Sequence, residues 1–201
     1  LPARQRAALI LRDVLGFSAE ETAESLEASV PSVNSALQRA RRAMEERTPE
    51  QSQQATLRAL GDEGIREVVE RYMDAMERGD VDAMVAMLAE DAAWSMPPLP
   101  AWFRGRDGVA GFLRQYAFTV RWKHLPTRAN GQLAFGCYAW DRHRDLYVAS
   151  VLDVLTLRGG RILEVTGFAT PAVFARLERQ DGPLVPSPVF RRFGLPEELS
   201  T

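Results

Sequence analysis

The chain has 201 residues, with 25 basic and 27 acidic side chains and a formal net charge of −2. That balance excludes a histone-like binder working through bulk positive charge, while leaving room for a local basic face. Apolar residues make up 46% and charged residues 26%, an ordinary globular composition for one large domain or two small ones. No apolar run approaches the roughly 18 residues needed to span a bilayer, and no signal-peptide pattern opens the chain. Cys137 is the single cysteine, which excludes an internal disulfide and fits a cytoplasmic protein. The two histidines, His124 and His143, would have to lean on carboxylates to hold zinc, so neither a metal nor a cofactor is expected. Lys123 is the only lysine. An arginine-dominated basic set of this kind usually follows GC-rich codon usage, which weakens each arginine as a sign of phosphate binding. The chain opens Leu1-Pro2 without Met and turns helical at once, so it reads as a piece of a longer protein.

Residues 2 to 47 read as helix throughout. Ala7, Ile10, Leu11 and Val14 recur at helical spacing until Gly16. Ser18, with Glu21 three residues on, predicts a capping box for a second helix, whose buried stripe is Ala19, Thr22, Ala23 and Leu26. After a break at 27–29, Ser29 can cap a third helix with Pro31 in its first turn. Val33, Leu37, Ala40 and Met44 make that helix's inner face. Residues 49–63 are polar and Gln-rich, for the most part the composition of a linker, with room for a helical end. Ile65, Val68, Val69, Tyr72, Met73 and Met76 then give a strong amphipathic helix. Gly79-Asp80 breaks it, and Asp80 can cap a short helix carrying Val81, Met84, Val85 and Leu88.

A short strand is expected at 92–96, stopped by Pro97-Pro98, and a helix at 105–116. Strands follow at 118–129, 132–140, 146–157 and 161–169. Asn130-Gly131 is a strong two-residue hairpin signal, and Arg158-Gly159-Gly160 is a second turn. Helices followed by a meander of antiparallel strands mean an α+β domain. Residues 182–201 carry four prolines, an irregular tail that can pack back on the domain.

The three-helix unit has a helix-turn-helix arrangement, whose second helix of the pair can enter a major groove. With Val33, Leu37, Ala40 and Met44 inward, Ser35, Gln38 and Arg42 point outward, flanked by Ser32, Asn34 and Arg39. This face carries no acid until Glu45. Small polar residues stand where base edges are reached and arginines where phosphates lie. The plainer reading of the same pattern is a three-helix bundle with a solvated polar face.

The stretch Leu1-Pro-Ala-Arg-Gln-Arg-Ala, with Leu11-Arg-Asp, Ser18-Ala-Glu-Glu, and the third helix ending Arg39-Ala-Arg41, resembles region 4 of extracytoplasmic-function sigma factors. The resemblance implies that residues 1–48 read the −35 promoter element and touch RNA polymerase core. It also implies a preceding region 2, which this chain lacks. The family's turn usually carries Gly where Glu27 or Ala28 stands, and a non-Gly residue forced to φ > 0 costs about 1 kcal/mol. A basic residue is common where Asn34 and Ala36 stand, so the −35 preference departs from the commonest pattern. The recognition helix resembles a sigma subgroup with a fused C-terminal SnoaL-like domain.

Residues 64 to about 170 resemble that domain, a member of the nuclear transport factor 2-like superfamily, and the domain is expected to span 64–181. The resemblance rests on Ala92-Ala-Trp94-Ser-Met96, Trp102-Phe-Arg-Gly105-Arg-Asp-Gly and Asn130-Gly-Gln. It implies a cone: a curved antiparallel sheet wrapped over helices around an apolar pocket. Trp94, Met96, Trp102, Phe112, Tyr116, His124 and Asp153 are the candidate pocket residues. Asp153 shares a strand face with Val151 and Leu155, where desolvation would raise its pKa, and His124 and Tyr116 could partner it. No catalytic residue is assigned, because a fold hosting many functions does not license an enzyme. The expected protein is therefore a cytoplasmic transcription initiation factor with a regulatory C-terminal domain. Its partners are promoter DNA, polymerase core and its own region 2, with a small-molecule ligand or a homodimer through the sheet as further candidates. Two alternatives stay open: a cyclase- or isomerase-type enzyme with a DNA-binding appendage, and a ligand-responsive repressor.

Overall fold

Ser18 caps its helix from both directions. Its Oγ accepts the Glu21 N–H at 3.1 Å, and the Glu21 carboxylate accepts the Ser18 N–H at 2.7 Å. The computed structural model describes residues 1–46, 51–170, 173 and 182–200. They belong to two units, Leu1–Glu50 and Gln51–Thr201. In the first, α1 (Ala3–Leu9) runs into a wider π-helical turn, Ile10–Val14. Helices α2 (Ala19–Ser25) and α3 (Val30–Glu45) follow, and the Ser29 hydroxyl caps α3. Between them Glu27 takes the left-handed conformation, φ 47°, at the turn where a glycine was expected.

Ala8, Thr22, Ala23, Val33, Ala36, Leu37 and Ala40 form the small core of this unit. Two expected stripes shift. Val14 is 72% exposed and Ile10 is also exposed, because the π turn breaks the 3.6-residue phase that would have buried them. Met44 is exposed and Ala36 is buried instead, since the 16-residue α3 outruns the two 7-residue helices that cover it.

The second unit opens with α4 (Gln53–Arg78), broken at Gly61 by a positive φ of 66°, and α5 (Val81–Met87), capped by Asp80. Then come β1 (Leu88–Ser95), β2 (Trp102–Arg104), α6 (Gly105–Gln115), β3 (Trp122–Ala129), β4 (Gln132–Asp141), β5 (Leu146–Arg158) and β6 (Arg161–Ala169). A 3₁₀ turn at Pro188–Phe193 and β7 (Glu198–Leu199) end the described chain. The sheet runs β2-β1-β6-β5-β4-β3, with β7 added on β5. Its pairs are antiparallel except β1 with β6, which is parallel, so the sheet is mixed rather than purely antiparallel. Asn130 and Gly131 both adopt positive φ, as a tight hairpin between β3 and β4 requires.

Residues 53–60 are not a linker. The side-chain amide of Gln53 donates to the Leu157 carbonyl at 2.9 Å and accepts the Leu157 N–H at 2.7 Å. It acts as one residue of strand beside β5, beyond the last β4 partner at Val154. Leu57 is buried in the main core. The helical layer thus begins well before residue 64; residues 49–50 and the expected domain end at 181 lie outside the described residues.

The sheet's inner face, with Leu133, Phe135, Val151, Leu155 and Leu157, packs on Val68, Tyr72, Met76, Val109 and Leu113. A bulge places Cys137 opposite Val151 but Tyr138 opposite Ala149, leaving Ser150 as the extra residue of β5. It turns Tyr147 and Ala149 to the outer face beside Leu152. The proline-rich tail covers that outer face: Phe190 and Leu195 pack on Tyr138 and Leu152. Gly136 lets them come close, since a Cβ there would meet Leu195 at 2.7 Å and Phe190 at 3.0 Å.

Candidate functional site

Each unit carries one candidate site. In the first, α3 presents Ser32, Asn34, Ser35, Gln38, Arg39 and Arg42, and all six are exposed. A shallow groove is lined by Arg12, Asn34, Leu37, Gln38, Arg41 and Arg42, with Glu45 the acid at its C-terminal end. The arginines differ in their engagement. Arg41 grips Asp13 through Nε at 3.0 Å and Nη2 at 2.7 Å, fixing α3 to the π turn. That bond holds the Asp13 carboxyl below the usual carboxylate range. Arg42 makes only an exposed i,i+4 pair with Glu46, a contact readily exchanged for a stronger anion. Arg39 has no ion pair among the described residues. Arg12, whose guanidinium donates to the Phe17 carbonyl, joins this groove from the turn after α1. Reading α3 alone as a helical wheel could not find it.

In the second unit a cavity of about 490 Å³ opens between the inner face of the sheet and α6. Six of the seven sequence-predicted pocket residues line it: Trp94, Met96, Phe112, Tyr116, His124 and Asp153. Trp102 does not; it is 64% exposed. Strand alternation on β2 turns Trp102 outward and its neighbour Phe103 inward, where it stacks on Phe112 with centroids 4.4 Å apart. Met76, Trp122, Cys137 and Val151 complete the wall.

The polar end of the cavity is buried. Asp153 is 3% exposed and His124 is 2% exposed. The partners of Asp153 are neither His124 nor Tyr116: Oδ2 accepts the Tyr72 hydroxyl at 2.8 Å and the Cys137 thiol at 3.3 Å. The spacing of Tyr72 marks it only as part of a helical stripe, and nothing in that spacing points across to β5. Burial pushes the Asp153 carboxyl up, against the downward pull of its Tyr72 and Cys137 hydrogen bonds and of His124. Burial beside this carboxyl also pushes the Tyr72 phenol and the Cys137 thiol well up, so both stay protonated donors. Asp153 Oδ1 lies against Gly167, where a Cβ would come within 2.8 Å of it. Among the described residues, Asp153 Oδ1 and both ring nitrogens of His124 are buried without a hydrogen-bond partner. Glu77 Oε1 lies 3.8 Å from His124 Nδ1, beyond hydrogen-bond range. Among the described residues no group of three or more His, Cys, Asp and Glu side chains is placed to hold a metal ion. No helix among them is long and apolar enough to cross a membrane.

Comparisons with known proteins match both units. Residues 1–44 match the family model for sigma-70, region 4, and residues 69–165 match that for the SnoaL-like domain. The chain is 30% identical over 202 aligned positions to the RNA polymerase sigma factor SigG of Mycobacterium tuberculosis, an extracytoplasmic-function factor. That alignment covers 99% of this chain and 49% of the relative. SigJ of the same organism is 27% identical over 183 positions, covering 85% of this chain and 56% of SigJ. The crystal structure of SigJ superposes with a TM-score of 0.47 at 25% identity, covering 87% of this chain and 61% of that one. The chain thus spans about half the length of the curated relatives it matches. Built of a sigma-70 region 4 followed by a SnoaL-like domain, it is homologous over nearly its whole length to the extracytoplasmic-function sigma factors.

Proposed function

We propose that residues 1–48 read the −35 promoter element and bind RNA polymerase core in the cytoplasm, and that the SnoaL-like domain regulates this activity. The observation that carries the reading is the outer face of α3. It offers four uncharged polar side chains and two arginines with no acid among them, on a helix matched as sigma-70 region 4. Ser32, Asn34, Ser35 and Gln38 are the right length and chemistry for base edges. Arg39 and Arg42 are placed for phosphates, Arg42 by giving up an exposed pair. The homologues named above are sigma factors, which supports transcription initiation over catalysis.

Regulation by the second domain requires that something bind two arrangements of the protein unequally. The large cavity supports a small molecule in that role. Selection of duplexes by the purified chain, followed by measured binding to core polymerase, tests the promoter reading. Enrichment of one short motif together with core binding is expected. Core binding absent, with a motif still enriched, would turn the reading to a repressor; neither result would sink it. Regulation is tested by comparing motif affinity, and run-off transcription with a region 2 restored, with and without residues 51–201. Identical values in both would remove the regulatory role.

A further inference from the structure

We propose that the cavity of the SnoaL-like domain binds an uncharged, ring-bearing small molecule whose one hydroxyl or carbonyl group is held at the buried end by Asp153 and His124. The walls set the body of the ligand. Trp94, Phe103, Phe112 and Trp122 present ring faces and edges, and Met76 and Met96 fill between them. A volume near 490 Å³ falls within the range of small-molecule sites. Flat rings lose little conformational entropy on entering such a slot and gain aromatic contacts.

The polar end sets the functional group. Buried polar atoms are almost always satisfied in folded proteins, yet three are bare here: both His124 nitrogens and Asp153 Oδ1. Both residues line the cavity. An imidazole N–H donates and an unprotonated imidazole nitrogen accepts, and burial favours the protonated, donating form of the Asp153 carboxyl. A hydroxyl, which gives and takes one hydrogen bond each, satisfies such a pair, and a carbonyl can accept from either.

Charge is excluded on both sides. Among the described residues the lining contains no Lys or Arg to meet an anion, and an ion leaving water for these apolar walls would go uncompensated. A cation would need Asp153 ionised, but burial opposes that and its Oδ2 already holds two neutral donors. The inference does not depend on the promoter reading: its assay measures binding by the chain alone, so either can fail without the other.

The test is calorimetric titration of the intact 201-residue chain with 2-naphthol, naphthalene, 2-naphthoate and 2-naphthylmethylammonium. Saturable binding of 2-naphthol is expected, with naphthalene weaker by about tenfold, the worth of one good hydrogen bond. The two ions should bind more weakly still. His124→Phe keeps an aromatic ring and should erase the preference for 2-naphthol while leaving naphthalene binding. Met96→Trp, which fills the cavity from its half-buried wall, should abolish all binding and needs no change at the polar end. Equal affinity for 2-naphthol and naphthalene, tighter binding of either ion, or 2-naphthol binding unaffected by Met96→Trp would overturn the proposal. So would the absence of saturable binding by any probe.

Discussion

Arg39, Gln38 and Asp153 carry most of what a single substitution can reveal. Arg39→Ala should weaken binding to every duplex alike and flatten the log K against log salt slope by about 0.9, the mark of one lost phosphate contact. Gln38→Ala should instead relax sequence preference at one position and leave the slope alone. Titration by anisotropy across salt concentrations separates the two; equal behaviour would contradict the division of roles on α3. For Asp153 the sign follows from its raised pKa. The folded state holds the proton more tightly than the unfolded one, so the stabilisation is complete below the ordinary value of 3.8 and is lost as pH rises through the folded pKa. Asp153→Asn keeps an oxygen for Tyr72 and Cys137 and carries no titrating proton. Its melting temperature relative to the parent should therefore climb as pH rises above about 4, a trend that melts across a pH series would show. Glu27 offers a third case. It pays for a left-handed backbone at φ 47°, and Glu27→Gly should raise the stability of the first unit by about 1 kcal/mol in urea melts.

At the scale of elements, local chemistry was legible and long-range completion was not. The Ser18 and Glu21 capping box, the Asp80 cap and the Asn130-Gly131 hairpin form where their residue types demand, because each depends on neighbours within four positions. The inward face of β5 was legible too, since Asp153 shares it with Val151 and Leu155 by simple alternation. Trp102 failed for the same reason that Asp153 succeeded. A three-residue strand gives too little pattern to fix its phase, and one step exchanges it with Phe103. The partners of Asp153 were beyond reach, because Tyr72 lies 81 residues away on a helix whose spacing says only that it is buried. Gln53 shows the same limit: a glutamine in a polar run carries no sign that its amide will complete a strand edge. Gly136 is a sharper instance and gives a prediction. Gly136→Ala must push back Leu195 and the fully buried Phe190. Overpacking of that kind costs about 1–3 kcal/mol. Denaturant melts of the variant should show that loss, with fluorescence changes reporting a displaced tail.

On the scale of the whole molecule, the tail decides what the outer sheet face can do. The superfamily resemblance left a homodimer through the sheet open. Here Tyr138, Leu152 and their neighbours are already covered by Phe190 and Leu195, and β7 pairs with β5 over Tyr147 and Val148. Removing residues from Gly182 onward should expose that apolar patch and drive self-association, visible as a concentration-dependent shift in sedimentation; a truncated chain that stays monomeric would show that this face is not adhesive.

The parallel pairing of β1 with β6 also sets an order in time. Residues 88–95 must wait for residues 162–166 before the sheet can close, and the outer face stays bare until Phe190 and β7 arrive. The three-helix unit needs nothing later than residue 46 for its core. On a ribosome adding about 5–20 residues per second, the helices emerge complete on the order of ten seconds before the cavity has walls. A nascent chain thus holds its α3 face ready during an interval in which no ligand of the cavity can act on it.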